Sequence, residues 1–491
     1  MFAQTTSVAM VGAEARAVRI EAHVGKVKDV FTLVGLPDTA VREAKDRVRA
    51  AITSSGLDFP HRRVTVNLSP ADLPKAGSDY DLPIALGVLA AAGELDGSLN
   101  RFVAAGELSL DGSVRRSRTA IGAGLLSARH GWPCVVADRD ASTAARVPGA
   151  VVYPVASLAE AASIVSGTQP PRMAPPSRDE PMYEGLDDMA EVRGQPMARR
   201  ALEIAAAGGH HMLMVGSPGA GKTMLARRLP SILPPLTDAE AVEVACLWAA
   251  ADRARGFSLQ PPFRAPHHSA SSAAVVGGGH GHPVPGEISL AHRGVLFLDE
   301  LGEFPPHLLN ALRQPIEEGL VTIARRGSAV TFPALAQVIA ASNPCPCGFR
   351  GDRLRSCRCT GSALDHYRRR LSGPFLDRFD LRVFVGNPEP GSLLGPIGET
   401  SATIRRRVID ARTAQLDRGE INGRLGHAGI DRHQLDEEGV GLITKAVNGG
   451  LLTGRGVARV RRVARTIADL GCEQGIRGDH VAEALALRGV V

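Results

Sequence analysis

The stretch HMLMVGSPGAGKTMLARRL, residues 211–229, constrains this chain more than any other. Gly216, Gly221, Lys222 and Thr223 satisfy the pattern G-x-x-x-x-G-K-[ST], with Ser217, Pro218, Gly219 and Ala220 between the glycines. The apolar run MLMV before it reads as a short buried strand, and TMLARRL after it as a helix. The glycines let backbone N–H groups curl around a phosphate chain. Lys222 brings a point charge to the β- and γ-phosphates, Thr223 a hydroxyl for Mg²⁺, and the helix N-terminus a partial positive charge. A chain with such a loop is α/β, built on a parallel sheet, and its expected ligands are ATP and Mg²⁺.

Two further strand ends extend this site. GVLFLDE (294–300) is an apolar run closing on two carboxylates. Asp299 is expected to hold Mg²⁺ through water and Glu300 to be the general base on the attacking water. The 77 residues from Lys222 to Asp299 leave room for a helix, a strand and an insertion. In AQVIAASNPCPCG (336–348), VIAAS reads as another buried strand ending at Asn343. That amide either touches the γ-phosphate and aligns the water or forms a turn before Pro344.

The rest of the chain is ordinary by comparison. Its 491 residues suggest about three domains. With 44% hydrophobic and 22% charged residues it has the composition of a globular protein. The net charge of +6 is too mild to name a partner. Two Trp, four Tyr and 13 Phe argue against a surface dominated by base stacking. Seven cysteines do not make a disulfide scaffold in a chain of this length. No apolar run suggests a membrane span, and the N-terminus lacks a leader pattern, so a cytoplasmic protein without a membrane partner is expected.

A Pro-rich linker, residues 167–186, follows a first unit at 1–166. In that unit VRIEAHV (18–24) and VFTLVG (30–35) read as strands around a Gly-Lys turn, and RRVTVNLS (62–69) as another strand. DTAVREAKDRVRAAITSSG (38–56) reads as a helix with Asp38 as N-cap and Val41, Ala44, Val48, Ala51 and Ile52 on its apolar face. LPIALGVLAAAG (82–93) reads as a second helix. Residues 187–390 form the expected nucleotide-binding core and 391–491 a helical lid, with IRRRVIDARTAQLDRG, VARVRRVARTIADLG and DHVAEALALRG as its clearest helices.

The order of these motifs resembles an AAA+ ATPase. PFRAPHHSAS (262–271), GEISLAHRGVLFLDEL (286–301), LRQPIEEG (312–319), IAASNPCPCG (339–348) and LSGPFLDRFDL (371–381) resemble the magnesium-chelatase-like YifB/ComM family along essentially the full chain. The resemblance implies that Gly194 and Gln195, in VRGQ, pack near the adenine and that Asn343 is sensor 1. It also implies that Arg378 is an arginine finger reaching a neighbouring subunit's ATP, which requires a homo-oligomeric ring, by resemblance a hexamer. The other reading of Arg378 is an intrachain salt bridge to Asp377 or Asp380. Arg455 matches sensor 2, with Arg459 and Arg462 as competitors. The first unit resembles a Lon-protease-like domain. Asp79 stands where that pattern carries its nucleophilic Ser, and an apolar residue near Ile121 where it carries Lys, so no proteolysis is expected.

Cys345, Cys347, Cys357 and Cys359 form C-x-C-x9-C-x-C, a set that can close a tetrahedral Zn²⁺ site or remain free or redox-active thiols. The basic insert around them, residues 345–370, carries seven arginines, among them Arg350, Arg353, Arg355 and Arg358, against two aspartates. That local +5 points either to DNA phosphates or to a solvated loop with subunit salt bridges. VTIARRGSAVTFPA (321–334) reads as a β-hairpin with Arg325 and Arg326 at its tip, which the resemblance turns toward DNA in a central pore. The Gly/His-rich stretch 265–283, with His280 and His282, reads as a mobile pore loop. The resemblance implies an ATP-driven motor on DNA, of the helicase or branch-migration type. The alternatives are a chelatase-type remodelling subunit and a non-catalytic Lon-like scaffold.

Overall fold

The computed structural model describes all residues except 27–29, 36–38, 72, 74, 76, 96–98, 177–182, 184, 252, 254–256, 280–282, 326–327, 353–354, 372, 389, 394 and 490–491. Asp38, His280, His282, Arg326 and Arg353 therefore lie outside the described residues. Packing divides the chain into two units: Met1–Glu180 with Thr237–Leu259, and Pro181–Leu236 with Gln260–Val491.

The first unit is organised by period-two alternation. Its elements are β1 (Phe2–Val11), β2 (Glu14–Val24), β3 (Phe31–Val34), α1 (Thr39–Ser54), β4 (Val64–Ser69), α2 (Asp81–Ala92), β5 (Val103–Ala105), α3 (Ala120–His130), β6 (Cys134–Ala137) and β7 (Val152–Val155). Their sheet runs β3-β4-β2-β1-β5-β6-β7. Residues 1–17, to which the sequence reading assigns no element, form β1 and the start of β2, paired antiparallel from Phe2↔His23 to Val11↔Glu14. The two strands expected around Gly25-Lys26 are not neighbours. β4 lies between them, antiparallel to β2 and parallel to β3. The Gly25 N–H donates to Arg63 O at 2.8 Å, which ties the end of β2 to the entry of β4 instead of closing a hairpin. On α1, Val41, Ala44, Val48, Ala51 and Ile52 are all fully buried, as the helical spacing requires. α2 is buried almost all round, which its continuous apolar sequence permits.

The segment Thr237–Leu259, which the domain reading above places inside the core, packs with the first unit. Its helix, Asp238–Ala250, opens on a Thr237/Glu240 capping box. Val242 and Cys246 form an apolar cluster with Val147.

The second unit is built on buried parallel strands. Its elements are α4 (Pro196–Gly208), β8 (Met212–Val215), α5 (Lys222–Ile232), β9 (Phe263–Arg264), β10 (Val295–Leu298), α6 (Pro306–Glu318), β11 (Leu320–Arg325), β12 (Ser328–Pro333), β13 (Gln337–Ser342), α7 (Gly361–Arg370), β14 (Leu381–Phe384), α8 (Ser401–Asp417), α9 (Glu437–Asn448), α10 (Gly454–Leu470) and α11 (Gly478–Ala486). The sheet order is β9-β10-β13-β8-β14, all parallel. Every residue of MLMV, VLFL and QVIAAS is buried, because a parallel sheet is covered on both faces. β11 and β12 form a separate antiparallel hairpin, with Arg325 opposite Ser328.

The C-terminal helices belong to this unit and share its core, which runs from Met212, Val295 and Ile339 to Val463 and Ile467. A buried polar chain crosses the same junction. His210 Nδ1 meets Asp380 Oδ2 at 3.1 Å, and its Nε2 meets Thr466 Oγ1 at 2.8 Å. Asn422 joins Thr466 and Asp469, and Asp469 takes ion pairs from Arg418 and Arg465. Such a network is satisfied only in one arrangement, so it fixes α10 against the strand ends.

Candidate nucleotide site

Because β10, β13 and β8 are neighbours in a parallel sheet, their carboxyl ends open into one crevice, where α/β sheets bind ligands. Pro218, Gly219, Ala220, Gly221, Lys222, Thr223, Asp299, Glu300 and Asn343 line a cavity of about 450 Å³ there. Ser217 is buried in the loop behind them.

The geometry inside is specific. Lys222 Nζ donates to Gly216 O (2.6 Å), Ser217 O (3.0 Å) and Asn343 Oδ1 (3.2 Å). Its burial lowers its pKa, while Asp299 and Glu300 oppose that shift. The ammonium is thus pre-aimed among oxygens in the mouth of the loop. Thr223 Oγ1 donates to Asp299 Oδ2 at 2.8 Å. A hydroxyl and a carboxylate oxygen side by side are the hard donors Mg²⁺ takes, directly or through its retained waters, so the residues present suit that ion. Glu300 adopts a left-handed backbone at φ 52°, which turns its side chain out of the strand line, and its N–H donates to Asp299 Oδ1 at 2.9 Å. A strained non-glycine residue at the end of a core strand marks a site where position matters more than propensity.

Gln195 links the loop to the opposite wall. Its Nε2 donates to Ala220 O (3.3 Å) and Gly386 O (2.5 Å), while Gln195 and Gly194 both take positive φ before α4. Arg378 and Arg455 do not line this crevice. Arg378 is nearly buried and pairs with Glu317 Oε1 at 2.6 Å, and not with Asp377 or Asp380. Burial lowers its pKa, as do the charges of Arg313, Arg459 and Arg455, against Glu317. Arg455 is exposed at the start of α10. Of its competitors, Arg459 is held by the buried Asp380 at 3.4 Å.

The four cysteines of the insert come together, every Sγ within 4.8 Å of the others. Cys345 is fully buried at the foot of the knuckle. Arg350, Arg355 and Arg358 are exposed on it, with the Arg355 guanidinium 5.1 Å from the centroid of the Phe349 ring.

Two contacts at the crevice involve residues to which the sequence reading gives no role at the nucleotide. His268 Nδ1 lies 3.4 Å from Glu300 Oε2, and its ring meets Phe304 edge-on. This histidine belongs to the stretch read above as a pore loop; its place beside Glu300 follows from β9 pairing with β10. The Tyr367 hydroxyl, from α7, donates to Asn343 O at 3.0 Å and lies 3.2 Å from Ser342 Oγ.

Among the described residues, no helix is long and apolar enough to cross a membrane. Three family models match the chain: "Magnesium chelatase, subunit ChlI" over residues 188–393, "Subunit ChlI of Mg-chelatase" over 20–139, and "Magnesium chelatase, subunit ChlI C-terminal" over 398–488. The competence protein ComM of Haemophilus influenzae is 44% identical, over 98% of this chain and 96% of the relative. YifB of Escherichia coli is 41% identical, over 98% and 96%. The magnesium-chelatase 67 kDa subunit of Heliobacterium mobile is 28% identical, over 36% of this chain and 31% of its own. Near-complete coverage at that identity, on a parallel-sheet core with its motifs at adjoining strand ends, assigns the chain to the YifB/ComM family of magnesium-chelatase-like AAA+ proteins.

Proposed function

We propose that the chain is an ATP-hydrolysing ring motor acting on DNA, of the helicase or branch-migration type. The observation that carries the ATPase part is the joining of Lys222, Thr223, Asp299, Glu300 and Asn343 in one crevice. Lys222 exchanges its contacts with Gly216 O and Ser217 O for phosphate oxygens. Thr223 directly and Asp299 through water would hold Mg²⁺, which would supply positive charge to the β- and γ-phosphates. Glu300 takes the proton of the attacking water, and Asn343 orients that water. Gly194 and Gln195 sit at the adenine side.

Arg378 supplies charge to a neighbouring subunit's nucleotide, and Arg455 is sensor 2. Arg378 stands apart from the crevice of its own chain, among Arg313, Arg459 and Arg455, so a homo-oligomer, by family a hexamer, is what gives it a phosphate to meet. DNA is held through phosphates by Arg350, Arg355 and Arg358 on the knuckle, with Arg353, Arg325 and Arg326. The four cysteines hold a structural Zn²⁺. The first unit is a Lon-like domain without protease chemistry. Asp79 is buried there, Ile121 packs in an apolar cluster, and neither provides the hydroxyl or the amine of a Ser–Lys dyad. A role in competence, named for the Haemophilus influenzae relative, accords with a DNA substrate. We assign the protein to the cytoplasm.

The test is ATP turnover with and without branched DNA at moderate salt. Stimulation by branched over linear duplex is expected; neither stimulation nor binding overturns the motor. The matched family descriptions favour a second reading, a chelatase-type remodelling subunit. Turnover that responds only to a porphyrin and partner subunits establishes that reading instead.

A further inference from the structure

The cysteine knuckle and the ATP crevice are built on the same residues. β13 ends at Ser342, Asn343 follows it directly, and Cys345 stands two residues further on. The chain then turns at Gly348, at φ 83°, against the phosphate loop. A Cβ placed there would lie 2.6 Å from Pro218 Cδ, so the turn touches the loop as closely as backbone can. After Cys359 the chain enters α7, whose Tyr367 hydroxyl returns to Asn343 O. Asp352 Oδ2, midway along the knuckle, accepts from Asn387 Nδ2 at 3.0 Å.

Three of the sulfur separations are those of a tetrahedral tetrathiolate metal site, and of the metals that take such a site the proposal is Zn²⁺. Cys345 Sγ is 3.4 Å from Cys347 Sγ and 3.7 Å from Cys357 Sγ, and Cys347 Sγ is 3.6 Å from Cys357 Sγ. Four thiolates at about 2.3 Å from a tetrahedral Zn²⁺ stand about 3.8 Å apart. The Cys347 N–H donates to Cys359 Sγ at 3.4 Å, the kind of contact that orients a thiolate ligand. Four thiolates with Zn²⁺ carry a charge of −2, so part of the arginine excess around them balances the metal centre itself.

We propose that Zn²⁺ at Cys345, Cys347, Cys357 and Cys359 braces the ATP site, holding Gly348 against Pro218 and Asn343 at the end of its strand, so that nucleotide affinity depends on the metal. This deepens the ATP and zinc readings above and rests on them. The metal closes a loop of chain whose two ends both stand on Asn343; without it, the turn at Gly348 is free to leave the phosphate loop.

The experiment uses the full chain. Its zinc content is measured by mass spectrometry, its thiols by a chromogenic disulfide reagent, and its nucleotide affinity with a fluorescent ATP analogue before and after chelation and after Zn²⁺ is returned. One zinc per chain, four thiols shielded until chelation beside the exposed Cys472 that reacts throughout, and a Kd that rises about tenfold and recovers are expected. Absence of zinc with four freely reacting thiols overturns the site, and an unchanged Kd after zinc removal overturns the brace. Gly348→Ala guards against global unfolding of the stripped protein. It is expected to keep its zinc yet bind nucleotide more weakly, and wild-type affinity in this variant overturns the Gly348–Pro218 link. If the untreated protein binds no ATP analogue, the ATP reading fails and the coupling with it, while the zinc content still decides the metal site.

Discussion

The proposed mechanism gives Lys222 and Glu300 different jobs, and single substitutions separate them. Lys222→Ala removes the charge that faces two carbonyl oxygens of the loop and Asn343 Oδ1, so binding of a fluorescent ATP analogue should be lost. Glu300→Gln keeps the size and the left-handed backbone but cannot accept a proton. Nucleotide binding should persist while turnover falls by about 10²–10⁴-fold; turnover at the wild-type rate would remove Glu300 from the role of base. Both residues are legible in the sequence because each motif is local: a glycine loop between a strand and a helix, and two acids after four apolar residues. His268 and Tyr367 are not legible. His268 stands 32 positions before Glu300 and reaches it only because β9 and β10 pair. Tyr367 reaches Asn343 only because α7 folds back beneath its strand. Spacing along the chain carries no trace of either contact.

Among the elements, α6 and the segment before β14 pose the sharpest question. Arg378 is tied to Glu317 of α6, whose side chain is half exposed. Such a pair contributes at most about 1 kcal/mol. Arg378→Ala should therefore leave the thermal midpoint within a few degrees of wild type. If Arg378 serves a neighbour's nucleotide, the same variant should lose about 10³-fold or more in turnover with nucleotide binding retained, while Glu317→Gln should not. Equal, small effects on turnover from both variants would reduce Arg378 to a structural ion pair. The same elements show where the sequence stops speaking. The apolar run VLFL and the helical period of α1 fix each element's kind. The insertion of β4 between β2 and β3 does not follow from them, because strand order is decided by long-range pairing and a Gly-Lys turn permits a hairpin without requiring one.

For the whole molecule, pH and salt read out the architecture. The half-buried His211 has its pKa lowered to about 4, by burial first and then by His210, Arg424 and Arg459, against Asp380. Its Nδ1 accepts the Val338 N–H at 3.0 Å, a bond that protonation breaks. A histidine whose folded pKa lies below its unfolded value of about 6.5 binds its proton more readily in the unfolded chain. Stability in the second unit should thus be fully present above that value and fall, by on the order of 2 kcal/mol after allowance for exposure, as pH drops toward 4. Denaturant unfolding across that range checks it, and His211→Gln should flatten the curve. DNA binding through Arg350, Arg355 and Arg358 should weaken with salt, and losing all three should reduce the log–log slope by about 3.

The helix Asp238–Ala250 gives the two units an unusual covalent relation. The chain enters the first unit at its start and again at Thr237, and leaves it at Glu180 and at Leu259. A single cut near residue 180 does not yield two self-sufficient pieces. The C-terminal fragment would carry away a helix whose apolar side, Val242 and Cys246, belongs with Val147. That fragment should aggregate, and supplying residues 1–176 as a separate chain should rescue it by complementation. The unit most easily taken for a removable appendage is thereby stitched into the span between the phosphate loop and the carboxylates Asp299 and Glu300.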